Sequence, residues 1–157
     1  MNNDVSPAVR AHLAALVAAR DVADHSYAIV GDAATPMLPG ERIRRWRQIR
    51  MDALTGLDRT VLAELLEGTS WEDVADALGL TVEETRARYE KTLELWRSGR
   101  RLVDRTNYAL FGEHSVGLRE DTDPRGTAET LDAWYRRHAE PWAEPDARPV
   151  SRLFDDE

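Results

Sequence analysis

Residues 70–96 read SWEDVADALGLTVEETRARYEKTLELW, and this run restricts the fold more than any other part of the chain. Ser70 and Thr81 are each followed three residues later by a carboxylate, a spacing typical of hydroxyl-capped helix N-termini. Gly79 lies just before the second of these caps, where a first helix has to end. The run therefore predicts two helices separated by a tight turn near Gly79.

Further residues of the run fit a helix-turn-helix, whose second helix lies in the major groove of DNA. Ala75 supplies a small residue where the two helices have to touch, and Leu80 supplies a hydrophobe for the turn. Helical spacing predicts a buried face on the second helix, made of Val82, Thr85, Tyr89, Leu93 and Trp96. Such a unit indicates regulation of transcription rather than catalysis.

The rest of the pattern is also helical, so we expect an all-α fold with a trihelical helix-turn-helix core and extra N- and C-terminal helices. Further helices are predicted over residues 7–24, 41–54, 58–67 and 127–138, with a loop over 31–40. The expected domains are N-terminal helices over 1–54, a helix-turn-helix domain over 55–98, and a C-terminal helix with an extended acidic tail over 99–157.

Capping and turn residues set the expected ends of these helices. Ser6 precedes Pro7, which is favoured at a first helical position. Thr55-Gly56 is expected to end the second helix, and Thr127 to cap the last one. The residues of the second helix expected to face the core are Ile43, Trp46, Ile49 and Ala53.

Charge is spread unevenly along the chain, whose net charge is −8. That total excludes a non-specific polyanion binder, so contact with DNA requires a local basic patch. Residues 41–54 carry +3 and 82–101 carry +2, whereas 55–81 carry −5 and 102–157 carry −6. For residues 82–101, a solvent-exposed helix face explains the positive charge about as well as a nucleic-acid contact does. For residues 41–54, a solvent-exposed face is the better explanation of the positive charge.

From about residue 57 to residue 97 the chain resembles the promoter-reading region 4 of sigma factors and the related regulator domains of the LuxR type. The resemblance lies in Leu62 and Leu65-Leu66 of a leading helix, followed by EGTSWEDVADALGLTVEETRARY. It covers about a quarter of the chain, and nothing resembles the core-binding part of a sigma factor. The resemblance implies a DNA-binding transcriptional regulator.

Three residues of the second helix depart from the residues that this family usually has. Thr85 stands where the family usually has Val or Ile, and Glu84 where it usually has a hydroxyl residue. Glu83 and Glu84 place two carboxylates where the family often approaches DNA. Carboxylates there can accept hydrogen bonds from cytosine, but they repel phosphates. These two carboxylates are also explained by helix capping and by the favourable interaction of negative charge with the positive end of the helix dipole.

If the chain binds DNA, the direction of the second helix gives its exposed residues expected roles. Val82, Glu83 and Arg86 are expected to point toward base edges, and Arg86 is the candidate for a bidentate hydrogen-bonded contact with guanine. The residues expected to neutralise or hold phosphates are Thr69, Ser70, Arg88, Lys91 and Arg97. The competing interpretation is ordinary surface pairing, as between Arg86 and Glu90 four residues on.

One helix-turn-helix makes few contacts alone, so we expect a homodimer that binds duplex DNA. The candidate dimer interfaces are the helices over 6–24, 41–54 and 127–138. The alternative function is a protein-interaction module of the same fold that docks onto RNA polymerase, a sigma factor or a signalling partner. Net charge and the acidic, proline-rich end of the chain favour that alternative.

Signatures of an enzyme are missing from the sequence. The four His residues show no metal-ligand spacing, and the chain contains no Cys. Neither a phosphate-binding glycine loop nor a nucleophile elbow occurs. We therefore expect no enzymatic activity and no cofactor. Without a signal peptide or a membrane span, the expected location is cytoplasmic.

Overall fold

Helices make up most of the structure, a computed structural model that describes residues 5–98, 123–139 and 148–155. Within those ranges no strand occurs, which confirms the all-α prediction. The elements in chain order are α1 (Pro7–Gly31), α2 (Glu41–Glu67), α3 (Trp71–Leu78), α4 (Val82–Arg97), α5 (Pro124–His138) and a 3₁₀-helix (Ser151–Phe154).

Helix α1 begins as its sequence predicts but extends further. The Ser6 hydroxyl accepts the Val9 N–H at 3.2 Å, and Pro7 takes the first helical position. The helix ends at Gly31 rather than near residue 24 because its last turns pack along α2. There His25 Nδ1 lies 2.9 Å from the carboxylate of Asp52, a residue of α2 that is only 7% exposed.

Helix α2 is continuous over 27 residues, so the predicted break at Thr55-Gly56 is wrong. Gly56 instead lies where α1 comes close: a Cβ built there would be 3.4 Å from the Cβ of Ala18. Gly56 thus lies on the surface of α2 that packs against α1, and the helical hydrogen bonds continue through this position. A glycine inside a continuous helix was taken for a helix end.

The N-terminal half of α2 carries an exposed apolar side, contrary to the predicted core face. Ile49 is buried as expected, but Ile43 and Trp46 are 74% and 62% exposed, and Ala53 is exposed. Their spacing does place them near one another on the helix surface, but α1 packs on a different side of α2. Periodicity identified an apolar side without identifying what covers it.

Two apolar cores hold the helices together, and α1 contributes to both. The first core joins α1, α2, α3 and α4 through buried side chains of Ala11, Val61, Leu62, Ala63, Leu65, Val74, Tyr89 and Leu93. The second core joins α1, α5 and the C-terminal segment through Val5, Leu13, Val17, Ala128, Leu131, Val150 and Phe154. The apolar sides of α1 and α5 are therefore used largely within the chain.

The C-terminal elements differ from their predicted description. Asp123, not Thr127, caps α5: its carboxylate accepts the Gly126 N–H at 3.0 Å, and Pro124 follows at the first position. Residues 148–155 are not extended, because they form the 3₁₀-helix and dock on α5. The remainder of the predicted tail, including residues 140–147, lies outside the described residues.

Candidate functional site

Helices α3 and α4 are joined by the three residues 79–81. The Ser70 hydroxyl accepts the Asp73 N–H at 3.1 Å and so caps α3. Gly79 ends α3 with φ +65°, a left-handed conformation that glycine adopts without strain. The Leu80 N–H then donates to the Ala75 carbonyl at 3.0 Å, which closes the turn. The Ser70 cap and the turn at Gly79 were predicted from the sequence, whereas the hydrogen bond from Leu80 to Ala75 was not.

Thr81 and Glu84 form a reciprocal capping box at the start of α4. The Thr81 hydroxyl accepts the Glu84 N–H at 3.2 Å, while the Glu84 carboxylate accepts the Thr81 N–H at 2.9 Å. These donors lower the pKa of Glu84, with the backbone N–H of Thr81 as the first cause and its hydroxyl as the second. Glu84 therefore has a structural role whatever α4 binds.

The inner side of α4 agrees with its predicted buried residues at three of five positions. Thr85, Tyr89 and Leu93 are at most 3% exposed. Thr85 satisfies its hydroxyl by donating to the Thr81 carbonyl at 2.9 Å, which explains how a polar residue fits this buried position. The two ends of the predicted face, Val82 and Trp96, are only half-buried.

A shared carboxylate joins α4 to α2. The Tyr89 hydroxyl donates to Asp58 Oδ1 at 2.7 Å, and the Arg88 guanidinium donates to the same oxygen at 3.2 Å. Burial, followed by the hydrogen bond to Asp58, raises the pKa of Tyr89 to about 12. Arg88, expected on a phosphate, thus has a partner within the chain.

The raised pKa of Tyr89 gives a prediction at alkaline pH. Because the folded state holds the Tyr89 proton more tightly, the contribution of this group to stability should be complete below about pH 10 and decline as pH rises toward 12. Tyrosine absorbance during a pH titration should show a late-ionising step from Tyr89. Tyr89→Phe should remove that step, and if the late step survives in this variant, the assignment to Tyr89 is wrong.

The outer side of α4 exposes the four basic residues singled out in the sequence: Arg86, Arg88, Lys91 and Arg97. Arg86 lies over the ring of Trp71, 5.1 Å from its centroid, and donates to Glu90 at 3.3 Å. Trp71 therefore helps to position Arg86 from α3. Sequence reasoning missed this contact, since no periodicity connects the first residue of α3 with the middle of α4.

The two hydroxyl residues expected to hold a phosphate are engaged by carboxylates of their own chain. Thr69 donates to Glu64 at 2.7 Å, and Ser70 donates to Asp73 at 2.6 Å. Acidic residues also occupy the first turns of both α3 and α4. Residues 69–98 contain seven acidic and four basic residues, a local net charge of −3. The basic side of α4 is therefore surrounded by negative charge.

The described ranges also bear on metal binding and on membrane insertion. Among those residues, no group of three or more His, Asp or Glu side chains could hold a metal ion. None of the helices they form combines the length and the apolar character needed to cross a membrane. Comparison of the chain with protein-family models, with curated proteins and with solved structures finds no match. Its function is therefore inferred from its own residues and geometry.

Proposed function

We propose that α3 and α4 form a helix-turn-helix and that the protein is a DNA-binding transcriptional regulator. The observation that carries this proposal is the pair of capped helices joined by a left-handed Gly79, with Ala75 buried and a row of exposed basic residues on α4. A second helix with a buried inner side and a basic outer side suits insertion into the major groove.

In this function Arg86 reads a base. Its ion pair with Glu90 joins two half-exposed side chains, and such pairs contribute only about 0.3–0.5 kcal/mol. Arg86 can therefore exchange Glu90 for a guanine edge at little cost, while the Trp71 ring continues to support its guanidinium. Val82 and Glu83 lie on the same N-terminal turn of α4 and would lie close to bases.

The remaining basic residues of α4 would contact phosphates. Lys91 and Arg97 are exposed and follow Arg86 along the helix, so they would contact the DNA backbone beyond the base contacts. Arg88 would have to share its guanidinium with Asp58. A second copy of the chain would supply a second α4, spaced about 34–36 Å from the first to match one turn of DNA.

Arginine and lysine substitutions on α4 test this function by the different losses that they produce. Arg86→Ala should weaken binding to the preferred site by about 1–3 kcal/mol and relax specificity at one base pair. Lys91→Ala should weaken binding to all sequences. It should also reduce the slope of log affinity against log salt concentration by about one. Fragments selected from a random DNA pool supply the preferred site for titrations at several salt concentrations.

Arg137→Ala is the matched control, because it removes an exposed positive charge from α5 rather than from α4. It should leave both the affinity and the salt slope unchanged. Equal losses from Arg86→Ala and Arg137→Ala would mean that only the overall charge matters, and base reading by Arg86 would then be wrong.

The local net charge of −3 over residues 69–98 favours a second candidate function, docking onto another protein. In that case the same fold would bind RNA polymerase, a sigma factor or a signalling partner through α4. One result separates the candidates. If the wild-type protein binds no fragment of a genomic DNA pool at ~50 mM salt, where contacts to the DNA phosphate backbone are strong, that result would support docking onto a protein. An affinity that rises on all DNA after Glu83→Gln would show that this carboxylate repels phosphates.

A further inference from the structure

A stripe of exposed residues runs along the side of α2 that no other described element covers. We call it the α2 stripe, and it consists of Ile43, Trp46, Arg50, Leu54 and Leu57. Its four apolar members are between 38% and 74% exposed. Spacings of 3, 4, 4 and 3 keep these residues near one line along the helix, as in helices that pair lengthwise. Apolar side chains in such a line are suited to packing against another helix.

The stripe is symmetric about its middle residue. Ile43 and Leu57 each lie seven residues from Arg50, and Trp46 and Leu54 each lie four residues from it. Two copies of α2 that run antiparallel and cross near Arg50 therefore bring Ile43 close to Leu57 and Trp46 close to Leu54. Such a two-fold pairing is self-complementary, because both copies use the same surface.

The charges of α2 favour the same direction. Residues 41–49 contain four arginines and one glutamate, a net charge of +3, whereas residues 51–59 contain two aspartates and one arginine, a net charge of −1. With the two-fold axis at Arg50, an antiparallel pair places residues 41–49 of one copy beside residues 51–59 of the other, so positive charge lies beside weakly negative charge. A parallel pair would place basic beside basic, so the charge pattern selects the antiparallel arrangement.

The other surfaces expected to form a dimer are largely occupied within the chain. The apolar sides of α1 and α5 lie in the second core, where Leu13 and Leu131 are at most 3% exposed. We propose that the α2 stripe is the interface with a second copy of this chain, antiparallel and with its two-fold axis near Arg50. This assignment rests on the homodimer of the proposed function, yet its test uses no DNA.

Disulfide trapping tests the geometry directly, since the chain contains no Cys of its own. Arg50→Cys should form a covalent dimer of about twice the 17.8 kDa chain mass under mild oxidation. Ile43→Cys alone should not, because the two copies of position 43 would be roughly 21 Å apart along the helices. Ile43→Cys mixed with Leu57→Cys should form a cross-linked pair.

Trp46→Glu tests the energetics of the same interface. It should raise the dimer dissociation constant by about tenfold or more, since a central aromatic residue would be replaced by a charge. Thermal unfolding of the monomer should not change, because Trp46 is 62% exposed within the chain. Tyr135→Glu, at an exposed aromatic residue of α5, is the matched control and should leave the dissociation constant unchanged.

Several results would overturn the assignment. Efficient self-linking of Ile43→Cys would mean a parallel pair, and a dimer unaffected by Trp46→Glu would place the interface elsewhere. Wild-type protein that stays monomeric at the highest soluble concentration would assign the stripe to another occupant, such as an acidic helix of a different protein or DNA. DNA binding by a monomer would leave the regulator function intact while removing this interface, so the two failures are distinguishable.

Discussion

Ala75→Glu should lower the free energy of unfolding by about 3–5 kcal/mol, the range for an uncompensated charge in a protein interior. Ala75 is 3% exposed on a helix that packs on both α2 and α4. A glutamate there either places an unpaired carboxylate in the core or pushes α3 away from its neighbours. Because whole domains are stable by only about 5–15 kcal/mol, this single change should remove a large share of the stability.

Ala77→Glu is the matched control, because the same substitution two residues later falls on the exposed side of α3. Exposed helix positions usually change stability by no more than about 0.5 kcal/mol. Chemical unfolding followed by circular dichroism gives both values. If the two variants unfold at the same denaturant concentration, α3 does not pack as described and the helix-turn-helix proposal loses its basis.

Gly79 tests the turn separately from the packing. A Cβ built on Gly79 meets no atom within 4 Å, so any cost of a side chain comes from its φ of +65°. Left-handed backbone costs ordinary residues about 1–2 kcal/mol, whereas Asn tolerates it. Gly79→Val should therefore lower the unfolding midpoint clearly more than Gly79→Asn. Equal effects of the two would mean that the backbone here is free to rearrange.

The features that the sequence predicts best are those that depend on neighbouring residues. Hydroxyl caps at Ser70 and Thr81, the turn at Gly79 and the buried Tyr89 all follow from local spacings within one helix or turn. Local patterns of this kind determine local hydrogen bonds, so no distant partner has to be known in advance. The same reasoning identified the exposed basic residues of α4.

Features that depend on distant partners could not be predicted in this way. Gly56 resembles a helix end in sequence, yet it lies inside α2 and beside Ala18 of α1. The support of Arg86 by Trp71 likewise depends on how α3 and α4 cross. Ile43 is the opposite case, since its apolar character predicted burial that no element of the described chain provides. The spacing of apolar residues in the sequence predicts which side of each helix is apolar, while tertiary packing decides which sides contact one another.

A further distant contact is the docking of the C-terminal segment through Asp132. This residue is 2% exposed, and its carboxylate accepts the Val150 N–H at 2.7 Å and the Ser151 N–H at 3.2 Å. The Ser151 hydroxyl donates to the same carboxylate. Three donors on one buried carboxylate align the start of the 3₁₀-helix, and Phe154 then fills the second core.

Asp132→Ala should detach this segment from α5. The substitution leaves two backbone N–H groups and a hydroxyl without their acceptor, and each unsatisfied buried group costs roughly 1–3 kcal/mol. Undocking returns those groups to water, so the loss of stability is limited to the free energy of docking. We expect a loss of about 2–4 kcal/mol and faster hydrogen exchange at Val150 and Ser151, with the exchange of α3 and α4 changed only slightly.

Phe154→Ala should produce the same detached state by removing the apolar contact instead. Large-to-small changes at buried aromatic residues cost about 3–5 kcal/mol where the structure cannot relax, but undocking again limits the loss. The double variant should therefore be no less stable than the more affected single variant, because a segment can detach only once. Ser151→Ala, which removes one donor and leaves both backbone N–H groups paired, should have a smaller effect. Additive losses from Asp132→Ala and Phe154→Ala would contradict this description, since they would mean that the segment stays in place when either contact is removed.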